Sequence, residues 1–167
     1  IFSLLLYQEV YLHTAISYAL GNWVPPLGIE YLIDKVSIIP IIIIALISFL
    51  ATFFASKIMP AEINNSSISK VYSLWLLAIA GLIGLVTTGD AFNLFVFLEI
   101  SSLASVALVA MGGQKDKQAL VAAYNYLILG AIGATFYVIG VGLLYGITGT
   151  LNLADLSNRI AEISDNK

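Results

Sequence analysis

The sequence predicts an all-α integral membrane protein: a helical transmembrane bundle with four full spans plus a partial one, and a short extramembrane β-hairpin. Three observations carry this. Of 167 residues, 60% are hydrophobic and only 10% are charged. Mean hydropathy is +0.98. Soluble domains are about 45–50% apolar and about 25% charged, and a short chain buries too little of its surface to hide such an excess in water. Finally, apolar stretches approaching the ~20 residues needed to cross a ~30 Å hydrocarbon core recur four times.

Taken in order, residues 1–35 pair the end of an upstream helix with a hairpin. The opening IFSLLLYQ is too short to span, and Ile1 follows no initiator Met or charged n-region, so the sequence reads as a piece of a longer chain. Within 14–34, TAISYAL and GIEYLID alternate apolar and polar residues, and Gly21-Asn22 and Pro25-Pro26 interrupt them. That is a hairpin pattern. Residues 36–147 hold the spans, predicted at 36–58, 71–87, 92–111 and 120–147. The first carries the run Ile41 to Ile44 and is closed by Lys57 and Pro60; the last is long enough to tilt. Residues 148–167 form a surface helix and tail. Asn152 is placed to cap it, and Leu153, Leu156, Ile160 and Ile163 recur at helical spacing.

Lysine placement sets the orientation. Lys57, Lys70, Lys115 and Lys117 fall in the loops opposite the hairpin, whereas Lys35, Arg159 and Lys167 share the hairpin side with most of the acids. The hairpin and C-terminal tail are therefore expected on the outer face. The second and third spans, joined only by residues 88–91, must be antiparallel neighbours. Small residues should set the packing, because lipid gives helices no hydrophobic drive to associate. The pairs are Ala80 with Gly84, Gly130 with Ala134, and Gly142 with Gly146.

Several functions are excluded. Cysteine is absent and His13 is the only histidine, which rules out thiolate metal sites, Cys-ligated iron–sulfur clusters and bis-histidine haem within these residues. No cofactor or metal is expected, and redox chemistry must belong to a partner chain. No basic tract suggests nucleic acid. The segment GVGLLYG lacks dinucleotide spacing and lies inside a span.

Within GDAFNLFVFLEISS, Glu99 is the exception to the apolar pattern. It lies ten residues after Gly89, roughly 15 Å into the membrane at 1.5 Å per residue. An acid at a helix centre costs about 2.5–3.5 kcal/mol on insertion scales, and hydrocarbon disfavours its charged form unless a cation or water supports it. A carboxyl group poised between two states suits a proton relay; the alternative is a permanently protonated side chain that bonds a neighbouring helix. Ser102, one turn on, could hold a water or serve as interhelical glue, as could Asn93. Tyr124, with Asn125 and Tyr126, brings polar groups to the start of the last span, as supporting members of a path or as interfacial anchors. Asp90 is expected to cap the third span.

The segments TGDAFNLFVFLEISSLASVALVA, GNWVPPLGIEYLIDKVS and YLILGAIGATFYVIGVGLLYGITGTLNLADL resemble segments of a known family. It is that of the antiporter-like membrane subunits of respiratory complex I (NADH-quinone oxidoreductase), membrane-bound hydrogenases and Mrp-type multisubunit Na⁺/H⁺ antiporters. The likeness is strongest to the D subunits of the Mrp-type antiporters. The resemblance covers the N-terminal portion of such a protein. It implies a larger inverted-repeat transporter fold with sites near the midplane. It also implies that Glu99 matches a glutamate that works with a lysine on a broken helix beyond Lys167. Where many relatives carry a basic residue near the start of the last span, this sequence has Asn125. The function implied is proton translocation, or Na⁺/H⁺ antiport, in a multisubunit cation/proton antiporter or respiratory complex of the cell (inner) membrane. Its partners would be other membrane subunits, protons, Na⁺ and the lipid bilayer. A structural membrane subunit that assembles a complex without conducting ions is the alternative.

Overall fold

A computed structural model describes residues 2–13 and 15–165; Lys167, counted above in the charge bias, lies outside them. Among the described residues the order is α1 (Phe2–His13), β1 (Ala15–Ala19), β2 (Glu30–Asp34), α2 (Ile38–Glu62), α3 (Asn65–Thr87), α4 (Ala91–Met111), α5 (Gln118–Thr148) and α6 (Leu153–Asp165). Four of these helices, α2 to α5, are long and apolar enough to cross a membrane. The class is the one that composition predicts, a helical membrane bundle with a two-stranded sheet.

Helix α3 starts at Asn65, six residues before the expected Val71, because Ser66 to Lys70 continue the helix past the lipid-facing stretch. A polar first turn does not stop a helix; it only ends the hydropathy signal. In α2, Pro40 falls in the first turn, where its missing N–H costs nothing, whereas Pro60 in the last turn leaves the Ser56 carbonyl without its i+4 donor just before the helix ends. Helix α5 has 31 residues, about 46 Å at 1.5 Å per residue, well beyond the ~30 Å core.

The packing inverts the soluble rule. Half of the buried apolar positions are alanines, Ala78, Ala91, Ala104, Ala123 and Ala134, and the rest are valine or isoleucine, while Phe49, Leu76, Phe136 and Ile147 are exposed. Close approach of backbones replaces burial of bulk. The seam between α3 and α4 shows why. A Cβ on Gly84 would lie 2.3 Å from the Phe97 ring, and one on Gly81 would lie 2.8 Å from Ser101. Gly81, not the expected Ala80, shares this seam with Gly84; Ala80 is exposed. Gly130 meets Ser102, but a Cβ on Gly142 or Gly146 would have nothing within 4 Å. That expected pair therefore packs no helix among the described residues.

The strands pair antiparallel in the register Ala15–Asp34 to Ala19–Glu30. Two further bridges, Tyr31 with Thr88 and Asp90 with Asn152, tie the hairpin to the α3–α4 link and the α5–α6 link. The hairpin, both links and the start of α6 thus form one end of the bundle. Lys57, Lys70, Lys115 and Lys117 belong to the other.

Candidate functional site

Helix α4 is started by Asp90, whose carboxylate accepts the Asn93 N–H at 2.7 Å. Glu99 lies two residues from the middle of this 21-residue helix, within about 3 Å of its midpoint. No other Asp or Glu falls inside the four spans. At 100° per residue, Phe92, Val96 and Leu103 share its face, and they are 47%, 36% and 50% exposed. Gly81 and Gly84 of α3 hold the opposite face, through Ser101 and Phe97. Glu99 is half-buried, and its carboxyl group makes no hydrogen bond or ion pair with a described residue.

Ser102 is placed differently. It lines a groove of about 500 Å³ between α4 and α5, together with Ser101, Ser105, Tyr126 and Tyr137. Tyr124 does not join it: that side chain is 62% exposed, on the far side of α5 from Tyr126. Asn125 is exposed as well. Sequence reasoning missed Ser101, Ser105 and Tyr137. The spacing of Ser101, Ser102 and Ser105 on one helix was the available signal.

At the hairpin end, polar groups interlock. Gly89 N–H donates to the Glu30 carbonyl at 2.8 Å, Ala91 N–H to the Leu151 carbonyl at 2.8 Å, and Leu153 N–H to the Gly89 carbonyl at 2.9 Å. Side chains complete the knot. Asn93 Nδ2 donates to Thr88 Oγ1 at 3.0 Å, and Asn152 Nδ2 to Glu30 Oε2 at 3.0 Å. Tyr137 donates its hydroxyl to the Ala91 carbonyl at 3.0 Å. Asn152 also caps α6, as expected, accepting the Ala154 and Asp155 N–H groups at 3.1 Å. Thr88, Asp90, Asn93 and Asn152 are all buried, as membrane-embedded polar groups can be only when paired.

Two carboxyl groups outside the spans are shifted. Asp34 is held below its ordinary value chiefly by the Ser37 backbone N–H, against a smaller opposing effect of desolvation. Asp155 is lowered first by the Arg159 guanidinium, which donates to it at 3.0 Å. The Thr150 hydroxyl beside it contributes, although it lies outside strict hydrogen-bond geometry. Among the described residues no three His, Cys, Asp or Glu side chains converge as a metal ion requires.

Residues 88–167, which include the knot, Glu99 and the groove, match the family described as NADH:quinone oxidoreductase/Mrp antiporter, transmembrane region. This stretch thus carries the match to the family of antiporter-like membrane subunits. It is 44% identical over 148 residues to NADH-quinone oxidoreductase subunit N of Desulforudis audaxviator, covering 89% of this chain and 29% of that protein. It is 32% identical over 161 residues to the D subunit of the Na⁺/H⁺ antiporter of Alkalihalophilus pseudofirmus, covering 96% and 32%. Two solved structures share the fold. The archaeal membrane-bound sulfane sulfur reductase, a respiratory membrane complex, gives a TM-score of 0.82 at 39% identity, over 92% of this chain and 31% of that one. The Mrp complex from Dietzia sp. DQ12-45-1b gives 0.80 at 25% identity, over 95% and 31%. The antiporter-like chain spans about a third of the length of these relatives.

Proposed function

We propose that this chain is part of a proton-translocating subunit, with Na⁺/H⁺ antiport as its variant, in a multisubunit cation/proton antiporter or respiratory complex of the inner membrane. Other membrane subunits are its partners. One observation carries the reading: the sole carboxylic acid of the four spans lies near the middle of its helix, and its carboxyl group makes no hydrogen bond or ion pair with a described residue. A carboxyl group facing only lipid would carry its insertion cost without return. On that face it is available to a cationic group from further along the protein, and the charge state of such a group would decide when Glu99 binds or releases a proton. Ser102 supports the relay as the nearest hydroxyl on the same side of the helix. Tyr124 is retained only as a supporting group at the membrane boundary.

The test is Glu99→Gln in the full-length protein within its complex, with ΔpH formation measured in inverted membrane vesicles. Loss of ΔpH with normal assembly is the expected result. Undiminished ΔpH with normal assembly overturns the relay. Reduced assembly, with transport per assembled complex unchanged, favours the purely structural alternative.

A further inference from the structure

The groove between α4 and α5 and the Glu99 face lie on two sides of one seam. Ser102 lines the groove, and Glu99 does not. On the α4 surface Ser102 is 60° round from Glu99 and one turn along, with about 5–6 Å between their Cβ atoms. The seam is close where Ser102 meets Gly130: a Cβ on that glycine would lie 3.0 Å from Ser102 Oγ. Any side chain there presses on the hydroxyl.

The hydroxyls are not equivalent. Ser101 donates to the Leu98 carbonyl at 3.0 Å and Ser105 to the Ser101 carbonyl at 2.7 Å, so both are tied to their own helix and offer lone pairs to the groove. Ser102 Oγ makes no hydrogen bond with a described residue, which leaves its proton free to be passed. At the hairpin end of the groove Tyr137 is fixed by its bond to the Ala91 carbonyl. Ser105 marks the other end, six residues from the close of α4, about 9 Å from the lysine-bearing surface. A space of about 500 Å³, where five hydroxyls stand among Leu82, Leu98 and Leu129, has room for water, and the hydroxyls are its partners.

We infer that the Ser102–Gly130 seam is the passage by which protons move between a water-filled groove, entered from the lysine end, and Glu99. The inference rests on the relay reading of Glu99 and adds its route. A proton arriving on groove water is accepted by a Ser102 lone pair as the Ser102 O–H proton leaves, through a bridging water, to the Glu99 carboxylate. The hydroxyl is regenerated, and no charge remains on it. Gly130 keeps the hydroxyl free to turn. Ser102 is thus a member of the relay and Gly130 a spacer.

The experiment uses the full-length protein in its complex, in inverted vesicles. Ser102→Ala and Gly130→Val should each slow proton flux about tenfold at normal assembly, and Ser102→Thr should restore it. In a full-length background with any other cysteines removed, Ser105→Cys should react with a membrane-impermeant thiol reagent added on the lysine side. If Glu99→Gln abolishes flux while Ser102→Ala and Gly130→Val leave it intact, the passage is overturned and the relay stands. A Ser105→Cys that stays unreactive while flux is normal also overturns the passage. If Glu99→Gln itself leaves flux intact, the relay reading falls.

Discussion

The hairpin end of α4 and its middle treat polar groups in opposite ways. At the end, Asp90, Asn93, Thr88 and Asn152 are buried and paired. Nine residues on, Glu99 and then Ser102 make no bond with a described residue. The first arrangement fixes geometry, since an unpaired buried polar group is costly. The second stores unused bonding capacity where a proton could be exchanged. One helix therefore carries an anchor and a working group, and the two are distinguished by partnership rather than by residue type.

The strongest way to break that contrast is at the anchor. Asp90→Ala removes the α4 cap, and should destabilise the full-length protein in detergent by about 1–2 kcal/mol, read as a lowered thermal midpoint. The same measurement on Glu99→Gln should shift stability by less than about 0.5 kcal/mol, as expected where no bond is lost. If Glu99→Gln destabilised as much as Asp90→Ala, the working-group assignment would be wrong. The smallest effect concerns pH. Asp34 and Asp155 have folded values below the ordinary 3.8, so their contribution is complete above pH 3.8 and is lost as pH falls through the folded values. Hydrogen exchange of the Val36 and Ser37 amides and of α6 should be constant, once corrected for intrinsic rates, from pH 7 to about 5. Protection should fall only below about pH 4. Loss of protection between pH 7 and 5 would contradict the shifts.

Local features were legible in the sequence. The apolar runs, the hairpin alternation and the caps at Asp90 and Asn152 depend on neighbours within a few residues. What was hidden depends on helix rotation and on distance along the chain. Glu30 and Asn152 are 122 residues apart, and nothing local announces their bond. Helices apolar on all sides do not declare which side faces a neighbour, which is why Tyr124 and Tyr126 could not be told apart. Only tertiary contact decides that Tyr126 reaches the groove and Tyr124 does not. Glu99 was visible because it violated its surroundings, and Ser102 because it lies one turn from Glu99; Ser101 and Ser105 were not, because serine on a membrane helix violates little.

The knot at the hairpin end also has a mechanical meaning. There the two links and the hairpin are cross-bonded, whereas the turns at the lysine end carry local backbone bonds such as Ile63 to Met59 and Ser67 to Asn64. The knot thus braces segments that are distant in the chain. A tilt of about 5° pivoting on it moves the far end of a ~30 Å helix by about 3 Å, the width of a water molecule. Any such tilt would displace the lysine end and leave the cross-bonded hairpin end in place.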